Sequence, residues 1–288
     1  MFLIEPFCWM FKVKNFVKQF VLLVLIGVVS YLLTVLAQFL LENYVGIEQF
    51  IPHVILQVLS FVLLIVPALL LSGYFWCLAD NIIDREQIPV ANNVYNGKVK
   101  SRYIIELPDF NVQKFVWRGI SSIFATIVLC IPYIYLITSS SGNFQTALEF
   151  WGLDTADPII IGVVVFVVLG SVVPALFWNY ARRDSILAVL NIFKASHIIM
   201  AYPAQYLINT LLFVLSTAIQ AGIIILLAGL LGFTTELASI TLPTVMDSIK
   251  ILYGITFVIF LIISYIISVF GVFINAYLLG TIAPPSEY

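Results

Sequence analysis

Charge is scarce in this sequence. Only 10% of its 288 residues are Asp, Glu, Lys or Arg, against roughly a quarter in an ordinary soluble domain. With 62% of the residues hydrophobic, a water-facing exterior cannot be assembled, and the bilayer is the expected solvent. The net charge of −2 and the lack of a basic tail exclude nucleic acid as an expected partner. Histidine is scarcer still. His53 and His197 stand far apart and leave little material for a zinc site or a histidine-based catalytic centre. Cys8, Cys77 and Cys130 form no CxxC pair and read as small buried or lipid-facing hydrophobes. No glycine-rich phosphate loop is present, and Tyr95-Asn96-Gly97-Lys98 lacks the Walker spacing. The longest polar piece, Asp80–Arg118, is too short for an enzyme domain. The sequence therefore predicts no catalytic residues, no cofactor and no metal, and a chain that is not an enzyme.

Long apolar runs fill the rest. A bilayer-crossing helix needs about 20 predominantly apolar residues. Six stretches qualify: Phe20–Leu41, Val54–Ala79, Gly119–Ile137, Ile159–Trp178, Leu207–Leu231 and Ile251–Leu279. None contains Asp, Glu, Lys, Arg or His. The first run is too long for the core of a signal peptide and reads as a retained anchor. The predicted fold is an all-α, polytopic transmembrane bundle of six spans, with residues 1–288 forming one integral membrane domain.

The basic residues orient it. Lys12, Lys14 and Lys18 precede the first span. Arg85, Lys98, Lys100, Arg102, Lys114 and Arg118 lie between the second and third, and Arg182, Arg183 and Lys194 between the fourth and fifth. The other connections hold Glu42, Glu48, Glu149, Asp154, Asp157, Glu236, Asp247 and a single Lys250. By the positive-inside rule, this asymmetry predicts cytoplasmic N- and C-termini, a cytoplasmic 80–118 loop and a multi-pass protein of a cell membrane. Trp9, Trp76, Trp117 and Trp178 fall at the predicted inner boundary, where an aromatic belt would place them.

Within the loop, Val94-Tyr95-Asn96-Gly97-Lys98-Val99 carries a type I′ hairpin signal; a small β-hairpin and a flexible loop with one turn are both compatible with it. Val66-Pro67-Ala68-Leu69-Leu70 resembles Val173-Pro174-Ala175-Leu176-Phe177, and each runs on through Tyr and Trp into a charged loop. Before the first span, Trp9, Val13, Phe16, Val17 and Phe20 share one helical face, opposite Lys14, Asn15 and Lys18. Before the third, Val112, Phe115 and Val116 oppose Asn111, Lys114 and Arg118. Two organisations follow: three units of interfacial helix plus two-span hairpin, or segments alike in composition alone.

Three passages carry a resemblance: Gly73-Tyr74; Leu107-Pro108-Asp109-Phe110, with Trp117-Arg118-Gly119 and Ile131-Pro132-Tyr133; and Val173-Pro174-Ala175-Leu176, with Tyr180-Ala181-Arg182 and Tyr202-Pro203-Ala204-Gln205-Tyr206-Leu207. Over roughly Pro67 to Leu212 the chain resembles a bacterial and archaeal membrane family catalogued as domain of unknown function four-zero-one-three. That family is distantly similar to the membrane domains of some glycerophosphodiester phosphodiesterases. The resemblance implies a membrane module of a prokaryotic inner or plasma membrane and carries over no catalytic residue.

The candidate functional residues are consequently few. Gln38, Gln57, Gln220, Ser264, Ser268 and Asn275 are the polar residues read within the spans; such side chains make interhelical hydrogen bonds or line a cavity. Gln57 and Gln220 are the cavity candidates. Pro67, Pro132 and Pro174 are candidate kinks, since each removes a backbone donor. Arg182 and Arg183 either fix orientation or contact an anionic lipid headgroup. Asp80, Asp84 and Glu86 read as a solvated acidic loop rather than a cation site. The function expected first is a non-catalytic scaffold, assembly or accessory module with a membrane protein partner. The alternative is a transporter or lipid-handling protein with a cavity between proline-kinked spans.

Overall fold

The computed structural model describes residues 5–44, 50–84, 86–95, 98–139, 158–183, 185–241 and 246–283. Seven helices dominate it: α1 (Phe16–Tyr44), α2 (Phe50–Ile83), α3 (Val112–Ser139), α4 (Pro158–Arg183), α5 (Ile192–Ala201), α6 (Pro203–Thr241) and α7 (Met246–Gly280). A helical turn over Glu5–Lys12 precedes α1, and a 3₁₀ turn, Ile186–Leu190, separates α4 from α5.

Five of these helices are long and apolar enough to cross a membrane among the described residues: Phe16–Leu41, Ile51–Ile83, Val112–Ile131, Pro203–Leu230 and Thr256–Gly280. The sixth predicted span, Ile159–Trp178, lies inside α4, but the side chains of 158–170 fall outside the described residues. The same holds for the side chain of Pro132 and for those of Glu42, Glu48, Glu149, Asp154, Asp157, Glu236, Asp247 and Lys250. Helices α2 and α4 run uninterrupted through Pro67 and Pro174, and α3 continues past Pro132 to Ser139.

The helical architecture carries one addition, an antiparallel hairpin of β1 (Glu86–Tyr95) and β2 (Lys98–Ile104). Glu86 pairs with Ile104 at one end and Tyr95 with Lys98 at the other, with the register broken between Pro89 and Val94. The turn residues Asn96 and Gly97 lie outside the described residues.

At the centre of the bundle, α2 packs on α7 and α1 lies against both; α3 covers a flank of α2, and α6 a flank of α7. Helices α2 and α3 approach closely because each offers a glycine to the other. A Cβ on Gly73 would run into the Phe115 carbonyl, and one on Gly119 into the Leu69 carbonyl. Between spans there is no water to expel, so close van der Waals approach through small residues is a main source of affinity. Ser72 and Ser122, at the same crossing, share a 2.8 Å hydrogen bond.

The tightest packing gathers at one end of the bundle, the end that carries Lys12, Lys14, Lys18, Lys114, Arg118, Arg182, Arg183 and Lys194. There Trp9 stacks on Tyr277 at 5.2 Å, Phe16 meets Phe273 edge-on at 5.0 Å, and Tyr74 touches both Phe115 and Phe273. The Trp9–Tyr277 contact places the start and finish of the described chain at the same end of the bundle. The loop 105–111 belongs to this core as well: Pro108 is buried, its carbonyl accepts from Gln19 Nε2 at 3.0 Å, Gln19 Oε1 accepts from Tyr74, and Phe110 packs on Phe115.

Two readings made from sequence are corrected here. Trp9, Trp76 and Trp178 are core residues, 4%, 5% and 1% exposed, whereas Trp117 faces outward, at 64%; Trp9 and Trp76 are held by aromatic neighbours, and Trp178 lies beneath the Arg182 guanidinium. Nor do Trp9 to Phe20 form one amphipathic helix. Asn15 takes a left-handed conformation, φ 67°, and breaks the segment. Phe16 is then buried while Val17 turns outward.

Candidate functional site

The flanking helices α3 and α6 border an open cleft whose floor is the α2–α7 seam. Its volume is about 360 Å³. Ala68, Leu71, Ser72, Phe75 and Trp76 of α2 line it with Ser268, Gly271, Val272 and Asn275 of α7; Ser122 and Thr126 enter from α3, and Gln220 from α6. The lining mixes apolar and polar groups, and every polar group in it is uncharged.

Several of these polar groups are already engaged. Ser122 Oγ donates to the Gly119 carbonyl at 2.7 Å, Thr126 Oγ1 to the Ser122 carbonyl at 2.8 Å, and Ser268 Oγ to the Ser264 carbonyl at 2.9 Å. These are the local bonds by which hydroxyl side chains satisfy themselves inside a helix. Gln220 Nε2 donates to Ser216 Oγ at 2.9 Å. Its amide lies so close to Gly271 that a Cβ there would strike it, so the glycine makes room for the glutamine. Asn275 Nδ2 reaches Thr217 Oγ1 only weakly, at 3.4 Å.

Among the described residues, two buried atoms of lining residues find no partner: the Asn275 amide oxygen Oδ1 and the Trp76 indole nitrogen Nε1. Leaving such a group unpaired costs about 1–3 kcal/mol; both atoms are out of contact with solvent, so the groups that face the open space of the cleft are the other polar atoms of the lining. Trp76 is held by edge-on contacts to Phe177 and Tyr180 of α4, at 5.2 and 4.9 Å.

Beside the cleft, towards the basic end, lies a buried ion pair. Arg118 Nη1 donates to Asp80 Oδ2 at 3.3 Å, and the arginine side chain is 3% exposed. The same guanidinium donates to the Ala181 carbonyl and lies 3.5 Å from Cys77 Sγ, so it joins α2, α3 and α4. Tyr180 Oη completes the junction with a 3.0 Å bond to Ser121 Oγ. Asp80 thus belongs to α2 and to this pair, not to a solvated acidic loop. Among the described residues no group of three His, Cys, Asp or Glu side chains could hold a metal.

The sequence-predicted residues are dispersed. Gln220 lines the cleft; Gln57 is exposed on α2 and does not. Ser268 and Asn275 are in the lining, whereas Gln38 bonds Ser60 at 2.7 Å and joins α1 to α2. Pro67 and Pro174 are buried outside the lining. Arg182 and Arg183 end α4 at the basic end, with the Arg182 guanidinium 5.7 Å from the Trp178 ring centre. Sequence reasoning missed Ser72, Trp76, Ser122 and Thr126. Small hydroxyls in apolar runs give only a faint signal, because they usually bond their own helix.

Compared with known proteins, the chain matches no family model, no curated protein and no solved structure.

Proposed function

We propose that this membrane protein binds an uncharged amphiphile, a lipid or lipid-like solute, in the cleft between α3 and α6, and that it serves transport or lipid handling. The observation that carries this reading is the lining itself, which combines uncharged hydroxyls and amides with Leu71, Phe75 and Val272. The lack of charge in the lining disfavours an ionic substrate, since a bare charge at membrane depth is costly. Nothing in the reading asks for a covalent step.

Six spans are part of the same proposal, with α4 as the sixth. The contact between Trp9 and Tyr277 supports it, because both lie at one end of the bundle and an even number of crossings must separate them. The basic residues gathered at that end support a cytoplasmic side for it and a cell membrane as the site of the protein. The resemblance to the family of unknown function supports a membrane module and adds no activity.

Native mass spectrometry of the full chain, released from native nanodiscs, tests the binding. The wild type is expected to retain one class of uncharged lipid or small amphiphile, and Gln220→Leu and Asn275→Leu to lose it at least several-fold while remaining folded. Retention unchanged in both variants would remove the cleft from the account. A stoichiometric protein partner with an empty cleft would restore the scaffold or accessory role.

A further inference from the structure

The polar groups of the cleft lining are better placed to accept hydrogen bonds than to donate them. A hydroxyl has one proton to give and two lone pairs with which to receive. Ser122 Oγ gives its proton to the Gly119 carbonyl at 2.7 Å. The proton in its 2.8 Å contact with Ser72 Oγ is therefore that of Ser72. Thr126 Oγ1 gives its proton to the Ser122 carbonyl at 2.8 Å, and Ser268 Oγ gives its own to the Ser264 carbonyl at 2.9 Å. All four hydroxyls of the lining have thus committed their protons to the chain.

What the hydroxyls retain is lone pairs. Ser122 uses one of its two on Ser72. Among the described residues, none donates to Ser72 Oγ, Thr126 Oγ1 or Ser268 Oγ, which stand on α2, α3 and α7. The remaining protons of the lining belong to its amides. Gln220 Nε2 uses one on Ser216 Oγ at 2.9 Å, and Asn275 Nδ2 uses one weakly on Thr217 Oγ1 at 3.4 Å, so each keeps a second. The Trp76 N–H is out of contact with solvent.

A ligand that can only accept is served by those two amides alone, and it sets its own lone pairs against the hydroxyl oxygens. For a hydroxyl of the lining to serve it, that hydroxyl must first leave its helix carbonyl, which exchanges one bond for another with no net gain. An alcohol meets both kinds of group: its proton goes to a hydroxyl oxygen, and its lone pairs receive from an amide.

We propose that the cleft selects amphiphiles whose head group carries a free hydroxyl, such as a diacylglycerol or a long-chain alcohol, over amphiphiles that only accept, such as ethers, esters and ketones. The hydroxyl donates to an oxygen among Ser72, Thr126 and Ser268 and accepts from Gln220 or Asn275. This selectivity rests on the cleft reading and adds to it the head-group chemistry.

The test uses a matched pair of ligands, 1,2-dioleoylglycerol and its 3-O-methyl ether, in which a methyl group replaces the one donated proton. Both are offered in equal amounts to the full chain in phosphatidylcholine nanodiscs, and the ligand retained on release is counted by native mass spectrometry. Wild type is expected to hold the alcohol roughly tenfold over the ether, the scale of one hydrogen bond. Ser72→Ala/Thr126→Val/Ser268→Ala removes the three acceptors and is expected to bring the ratio to about one, with the ether held as in wild type. Thr126→Ser keeps the oxygen and should keep the wild-type ratio. A wild-type ratio near one, with both ligands held and both lost in Gln220→Leu, overturns the selectivity and leaves the cleft reading standing. A tenfold ratio that persists in the triple variant also overturns it, because the preference would then come from the size of the methyl group. Retention of neither ligand removes the cleft reading and the selectivity together.

Discussion

Arg118 is the residue on which the basic end turns. Its guanidinium is out of water and meets an acid on α2 and a carbonyl on α4. Removing one partner of a buried pair leaves the other uncompensated, so Arg118→Ala is expected to lower stability by about 3 kcal/mol. Thermal unfolding in detergent reads this directly, and Arg118→Lys should recover only part of it, because a single ammonium cannot span the same acceptors. In the sequence Arg118 was legible only as an orienting charge. Asp80 and Arg118 sit just outside the apolar runs, and hydropathy alone cannot show that their helices extend one turn further and bring them together. The tryptophans teach the same lesson: their position along the chain was legible, but their partners Tyr277, Tyr180 and Phe177 were not. Cysteine chemistry offers a simple check at this scale. Cys8 is exposed and Cys77 buried. A water-soluble maleimide is expected to label Cys8 in the folded protein and to spare Cys77 until denaturant is added, as peptide mass spectrometry would show.

Among the elements, the helices were legible because each apolar run is long and uncharged. Their pairing was not, since lipid-facing and protein-facing residues are equally apolar. The glycines at the α2–α3 crossing decide that pairing, and the obstacle to enlarging them is backbone, which cannot swing aside. Gly73→Leu and Gly119→Leu are therefore expected to push α2 and α3 apart at a cost of about 3 kcal/mol, the upper range of overpacking. A disulfide engineered between Ser72 and Ser122, which stand in hydrogen-bond contact, should form readily in the parent and poorly in either glycine variant. The hairpin was half legible: Asn96-Gly97 announced a turn, while the irregular register between Pro89 and Val94 had no sequence signal. Helix α6 is long for a span, about 58 Å at 1.5 Å per residue. Its first two turns are nevertheless fixed, because Gln205 Nε2 and Asn209 Nδ2 both donate to the Thr281 carbonyl, the latter at 2.8 Å.

Over the whole molecule, the arrangement is a central α2–α7 pair with two flanks that leave a partly polar cleft between them. The candidate site was only partly visible beforehand. Gln220, Ser268 and Asn275 announce themselves as amides and hydroxyls in apolar runs. Ser72, Ser122 and Thr126 join them only through the glycine crossing that sets the position of α3. The topology has its own check: a cytoplasm-dependent reporter fused after Tyr288 is expected to be active, and an inactive fusion would contradict the six-span, cytoplasmic-termini proposal. The central claim is that the cleft holds an amphiphile, and the most direct measurement is an electron cryomicroscopy map of the full chain in a native nanodisc, with an antibody fragment bound to add mass. The account predicts elongated density between α3 and α6, against Phe75, Val272 and Gln220. A map in which α3 and α6 close on each other, or in which the cleft is empty, would contradict it.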